Sequence, residues 1–356
     1  MNRPPLIFEQ SAQGRQGFSL PSTGIDRKKT ENMDERLLRR TPLTLPSVSE
    51  AQAVHHFTTL ARENQYIQGR EALQIPFCGE DVLRQEGFMG IHPYQPTDSA
   101  QGAVELLFNL QHMLSDMFSM AEFTFQPLSL QDAVYSACRI LKAYDDKKDT
   151  LLLAENVGCE AAKGASLSGY SVVSVKTGED GCVDLCALER AIKEHAAAGL
   201  VVSCPNCMGL PEKELARMAQ MIHEAGGLLI VEAADAGIYL CETDLGGAGA
   251  DMVCVSLRES FAGFSGGEQA DAVALGAKED LVPFMPVPFI DVDELEQFFF
   301  NDNRERSIGK SGCFYGNFGG AVKALTYILS MGLDGLRLEG RRRAIHAAIA
   351  AKRDQG

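Results

Sequence analysis

The chain has 356 residues, 45% of them hydrophobic and 23% charged, with a formal net charge of -15 and ten cysteines. That composition is ordinary for a soluble globular protein, and the length allows one large α/β domain or two smaller ones. The negative field repels phosphate backbones, so nucleic acid is excluded as a partner; no run of about 18 apolar residues predicts a membrane span; and the opening Met1–Pro5 lacks the apolar core of an export signal. With no export signal, the cysteines are expected to be reduced thiols and the chain cytoplasmic.

In chain order, the first ~50 residues are polar and punctuated by Pro4, Pro5, Gly14, Gly17, Pro21 and Gly24, which predicts an extended arm. Val104, Leu107, Leu110, Met113, Leu114 and Met117 recur at helical spacing within residues 97–120. A strand is expected at 122–125. Ser129 and Asp132 then have capping spacing ahead of a helix reaching about Tyr144. Strands are predicted at 150–154, 171–175, 200–203, 228–231, 252–256 and 272–276. Between the earlier of these lie helices at about 159–167, from the Asp184 cap to about Ala197, and from Pro211 to the Gly226-Gly227 stop. Strand–helix alternation of this length predicts an α/β fold with a mostly parallel sheet between helices. A ligand would sit at the carboxyl ends of its strands, on the turns after Phe125, Ala154, Ser203, Val231 and Ser256. Residues 315–352 read as helical.

Several ordered stretches carry a family resemblance. They are Leu6-Ile7-Phe8-Glu9 with Gly17-Phe18-Ser19-Leu20-Pro21, Gly87-Phe88-Met89-Gly90-Ile91-His92-Pro93-Tyr94-Gln95-Pro96, Gln126-Pro127, Pro205-Asn206 with Gly209-Leu210, His223-Glu224-Ala225-Gly226-Gly227, and Ser307-Ile308-Gly309-Lys310 with Phe314-Tyr315-Gly316-Asn317-Phe318-Gly319. In these the chain resembles the glycine-cleavage P-protein family, subunit 2 type. The resemblance implies an aspartate-aminotransferase-like (fold type I) large domain with a seven-stranded sheet. It also implies pyridoxal phosphate (PLP) bonded to a lysine, decarboxylation of glycine, and transfer of the aminomethyl group to a lipoyl-bearing H-protein. The domains expected on this basis are an arm and helical lead-in (1–96), the large domain (97–300), and a C-terminal helical segment (301–356), with the family's small C-terminal domain largely missing.

Set against that family, the cofactor-facing turns differ. PLP chemistry needs an amine to bond the cofactor aldehyde; the family's L-H-K-T-F-S turn aligns with Leu257-Arg258-Glu259-Ser260-Phe261-Ala262, placing Glu259 at the lysine. The acid that faces the pyridine nitrogen aligns with Glu232, in Val231-Glu232-Ala233-Ala234-Asp235, and the stacking histidine aligns with Gly158. The phosphate turn reads Gln126-Pro127-Leu128-Ser129-Leu130-Gln131, where Leu128 and Leu130 are expected to crowd the anion. Gly158, Glu232, Asp235, Ser129 and Glu259 are therefore the expected remnants of a cofactor site. Lys163, Lys278 and Lys310 are the other lysines considered for the bond. The expectations are that no cofactor is bonded, that no catalytic residue is assignable, and that the chain is a non-catalytic homologue acting through association. Its partner would be itself, a P-protein subunit or lipoyl H-protein. One alternative is glycine dehydrogenase (decarboxylating) subunit 2 acting with PLP.

Another alternative is a thiol or metal protein. Cys204-Pro205-Asn206-Cys207 has C-x-x-C spacing at a strand end, with Cys182 and Cys186 one crossover earlier. Buried small hydrophobes are the plainer reading of these cysteines, and of Cys159. His55 and His56 are adjacent and so cannot share a helix face; His92 reads as structural; Gly263–Gly267 reads as a loop.

Overall fold

The computed structural model describes residues 49–62, 79–92, 94–240, 242–261, 271–312 and 314–353. Residues 1–48, nearly all of the expected arm, and the loop at 263–267 lie outside them. The chain divides into two units, Met1–Arg70 and Glu71–Gly356. In the first, helix α1 (Glu50–Arg62) carries His55 and His56. In the second, the elements are α2 (Gln101–Phe118), β1 (Glu122–Thr124), α3 (Leu130–Tyr144), β2 (Thr150–Ala154), α4 (Cys159–Leu167), β3 (Ser171–Val175), α5 (Leu185–Glu194), β4 (Ala197–Ser203), α6 (Leu215–Glu224), β5 (Leu228–Ala233), β6 (Met252–Ser256), α7 (Leu257–Phe261), β7 (Val273–Ala277), β8 (Phe289–Val292), β9 (Phe298–Asn301) and α8 (Phe318–Arg353). Among the described residues, no helix is long and apolar enough to cross a membrane.

All seven strands expected from the sequence join one sheet, in the order β1-β7-β6-β5-β4-β2-β3. The run β6-β5-β4-β2-β3 is parallel, and β7 pairs antiparallel with both β6 and β1. Every residue of β4, β6 and β7 is buried, as a sheet covered by helices on both faces requires. Alternate residues feed opposite layers. Leu200, Leu229, Val231 and Val253 join the core that includes Leu107, Leu110 and Leu114 of α2. Val201, Ile230, Met252 and Cys254 join the core that includes Ala133, Val134 and Ala137 of α3. The β4–β5 register sets Ser203 opposite Glu232 at the carboxyl end of the sheet.

Local chemistry sets the element ends. Ser129 Oγ accepts the Asp132 N–H at 3.1 Å, the cap its spacing predicts. Asp184 caps α5 through the Cys186 N–H at 2.8 Å. Two boundaries differ from expectation. The helix expected to run to Ala197 stops at Glu194, because Ala197 already pairs with β2 as the first residue of β4. The helix expected from Pro211 begins at Leu215, because Glu212 turns inward and accepts the Val183 N–H at 3.0 Å. Helix α8 is broken at Gly332, which has φ 58° and ψ -179°. The β8–β9 ribbon has no counterpart among the expected strands: Phe298-Phe299-Phe300 shows no alternation that marks a strand.

Gly316, in the shared Phe-Tyr-Gly-Asn run, has φ 79°, and a Cβ there would run into the Phe125 carbonyl oxygen. G316A is expected to destabilise the chain by roughly 2–5 kcal/mol, adding left-handed strain to an overpacked backbone contact. Chemical denaturation monitored by circular dichroism measures it.

Candidate active site

The carboxyl ends of β2, β4, β5 and β6 bring together the turns at Asn156–Gly158, Ser203–Asn206, Glu232–Asp235 and Leu257–Glu259. At the centre lies Glu232, only 2% exposed. Ser203 donates its hydroxyl proton to the Glu232 carboxylate, and the Gly158 N–H donates to Ser203 Oγ at 3.1 Å. A Cβ on Gly158 would stand 3.3 Å from Glu232 Oε2, so glycine lets this turn lie directly against the carboxyl group. Burial pushes the Glu232 carboxyl up to about 7; Ser203 opposes the shift, while the charges of Glu259 and Glu160 add to it.

Glu259 lies on α7, one turn beyond β6. Burial raises its carboxyl as well, opposed by Arg258 and reinforced by Asp235, Asp271 and Glu160. Arg258 Nη2 is 3.4 Å from Glu259 Oε1 and 3.2 Å from Asp271 Oδ1. Its Nε is buried with no hydrogen-bond partner. Glu160, in the first turn of α4, is raised by burial and then by Asp271. Asp235 is drawn aside into an ion pair with Arg343 at 3.0 Å, so it faces α8. The strand-end pocket is therefore dominated by carboxyl groups.

Beneath it a buried polar network fixes the loops. Glu212 Oε1 accepts from Asn156 Nδ2 at 2.6 Å and from Asn206 Nδ2 at 3.1 Å, while both amides also donate to the Gly181 carbonyl. The Cys207 N–H donates to the Asn156 carbonyl at 3.0 Å. Three turns distant in sequence are thus held as one surface. Apart from Asn156 Oδ1, which is buried with no hydrogen-bond partner, the network is satisfied and ties the loops into one arrangement.

Of the residues singled out from the sequence, Gly158, Glu232 and Glu259 meet at the strand ends. Ser129 spends its oxygen capping α3. The expectation that Leu128 and Leu130 crowd the space ahead of α3 is not met: Leu130 is buried in the core, and Leu128 is 45% exposed. Cys204 and Cys182 are buried thiols that burial pushes up, which keeps them protonated, whereas Cys186 and Cys207 are exposed. Among the described residues, no three His, Cys, Asp or Glu side chains converge to hold a metal ion. Lys278 donates to the Ser119 carbonyl at 2.6 Å, away from the strand ends, and Lys163 and Lys310 are exposed. Sequence reading missed Ser203, Glu160, Asp271 and Arg343 as site residues. Ser203 was within reach, being the last residue of an apolar strand on the ligand edge. Arg343 carried no signal, because its partner Asp235 lies 108 residues away.

No family model matches the chain. A probable glycine dehydrogenase (decarboxylating) subunit 2 of Listeria welshimeri is 36% identical over 347 residues, spanning 94% of this chain and 71% of that protein. The corresponding protein of Bacillus cytotoxicus is 34% identical over 361 residues, spanning 98% and 73%. Among solved structures, an inhibitor-bound glycine decarboxylase (P-protein) of the glycine cleavage system superposes with a TM-score of 0.72 at 19% identity, covering 95% of this chain and 79% of that one. A TDC from Oryza sativa with PLP and tryptamine gives 0.58 at 13% identity, covering 88% and 72%. These two establish the fold, type I of the PLP enzymes, as expected. The expectation of no cofactor is corrected by the same comparisons: the relatives are glycine dehydrogenases (decarboxylating), and a neighbour of the same fold was solved with PLP bound. By sequence across nearly its whole length, the chain belongs to the glycine dehydrogenase (decarboxylating) subunit 2 family.

Proposed function

We propose that the chain acts in glycine cleavage as a subunit 2-type component of glycine dehydrogenase (decarboxylating), in an assembly with a further P-protein subunit and a lipoyl-bearing H-protein. The observation that carries this reading is identity of 34–36% over alignments of 345 residues or more with its relatives. When bound, PLP supplies an electron sink for breaking the carboxyl bond of an amino acid. The residues present do not fit a cofactor bonded at position 259, because Glu259 offers a carboxylate where that bond needs an amine.

The chain's own residues have other roles. Ser203 and the Gly158 N–H orient Glu232. With its carboxyl raised to about 7, Glu232 can hold or release a proton near neutral pH, the property of a general acid or base. The Glu212 network keeps the surrounding turns in place. Glu259 and its carboxylate neighbours favour a second reading, a non-catalytic subunit whose contribution is association. A reconstituted glycine–bicarbonate exchange mixture tests both. Omitting the chain should abolish exchange; exchange that persists unchanged overturns the proposal. If E232Q restores full exchange where omission abolishes it, the second reading holds.

A further inference from the structure

Helix α8 reaches back over the strand ends. Gly340 packs so closely that a Cβ on it would meet the Ile238 carbonyl at 2.8 Å and the Gly237 carbonyl at 2.9 Å. One helical turn on, Arg343 Nη1 donates to Asp235 Oδ1 at 3.0 Å and to the Glu259 carbonyl oxygen at 2.9 Å. Arg343 Nε donates to Glu339 Oε1 at 3.1 Å. Glu339 is itself buried and held by Arg342 at 2.7 Å, so the arginine is aimed by its own helix. The two turns it bridges are already joined, since Ser260 Oγ accepts the Ala236 N–H at 3.1 Å.

We infer that Arg343 is a positioning residue for the strand-end site, locking the turn after β5 to the turn after β6 so that Glu259 is held toward Glu232. This rests on the proposed reading of the strand ends as the working site. A planar guanidinium suits such a bridge because its fork serves two acceptors and a counter-ion at once, where an ammonium makes one point contact. The Arg343 side chain is 17% exposed, so water competes poorly for these bonds.

The test uses the full chain with carbon-13-labelled glutamate carboxyls, Glu232 and Glu259 being assigned from E232Q and E259Q. Glu232 faces Glu259 on α7, Glu160 on α4, Cys254 on β6, the Ser203 hydroxyl on β4 and the Gly158 N–H. Glu259 faces Arg258, Asp235, Asp271 and Glu160. In R343M the α7 turn is released, and a retreat of Glu259 by ~2 Å lowers the Glu232 midpoint by about half a pH unit. Removing a cation can by itself only raise that midpoint, so the direction separates repositioning from simple loss of charge. R343K should give a smaller fall, and it carries the same test if R343M does not fold. An unchanged or raised Glu232 midpoint overturns the inference. A fall, combined with glycine–bicarbonate exchange indifferent to omission of the chain, would keep Arg343 as a positioning residue and remove the functional reading instead.

Discussion

E259K is expected to gain a borohydride-stable phosphopyridoxyl adduct at residue 259 when incubated with PLP, an adduct the native carboxylate cannot form there. Residue 259 sits in the short helix that follows β6, at the carboxyl edge of a parallel sheet, and its turn is anchored from three sides. Ser256 Oγ accepts the Glu259 N–H at 3.3 Å, Arg343 holds the Glu259 carbonyl at 2.9 Å, and Arg258 lies alongside. The substitution exchanges one carboxylate for an amine in a pocket whose other charged members are mainly carboxylates, so it relieves repulsion. Those carboxylates favour the ammonium form, while burial and the Arg258 charge oppose it. Because only the free amine captures PLP, the initial rate should rise with pH until the new amine is deprotonated and level off above that. Intact-mass spectrometry with peptide mapping after reduction reads the result. A folded E259K with no adduct at position 259 would mean that the turn does not present this side chain to the strand-end pocket.

E232Q is expected to remove a pH dependence from the stability of the chain. The Glu232 carboxyl is raised from 4.5 to about 7, with burial as the largest cause. An acid raised on folding binds its proton more tightly in the folded state. Its stabilising contribution is full below the unfolded value and is lost as pH climbs through the folded one, here from about 4.5 to about 7. A shift of that size corresponds to roughly 3 kcal/mol. Glutamine keeps the shape, stays neutral, and can still bond the Ser203 hydroxyl. Wild type and E232Q should thus have similar stability near pH 4.5, and E232Q should be more stable by about 3 kcal/mol at pH 8. Urea midpoints across that range measure the difference. Parallel pH profiles for the two proteins would show that Glu232 is not raised.

The sheet was legible because its strands are continuous apolar runs, such as Leu151-Leu152-Leu153 and Val253-Cys254-Val255, separated by capped helices with Ser129 and Asp184 at their starts. Helix ends were less legible wherever a side chain reaches a tertiary partner. Glu212 leaves the α6 register because three buried donors claim its carboxylate. The site divided in the same way. Strand order placed the turns after Ala154, Val231 and Ser256 at the ligand edge, and the family resemblance then singled out Gly158, Glu232 and Glu259 within them. Ser203 and Glu232 become partners only through the β4–β5 register, and Arg343 only through the return of α8 over the sheet. The placing of Leu130 in the phosphate space failed for a comparable reason. A leucine at the start of an amphipathic helix faces whichever side the helix buries, and α3 buries it in the core.

The most direct measurement is exchange of labelled bicarbonate into the carboxyl group of glycine, in a mixture of PLP, a second P-protein subunit and lipoylated H-protein, with and without this chain. If the chain serves as a subunit 2 of glycine dehydrogenase (decarboxylating), label enters glycine only when it is present, and a heat-denatured sample does not replace it. Equal label in both mixtures would contradict a role for this chain in glycine cleavage.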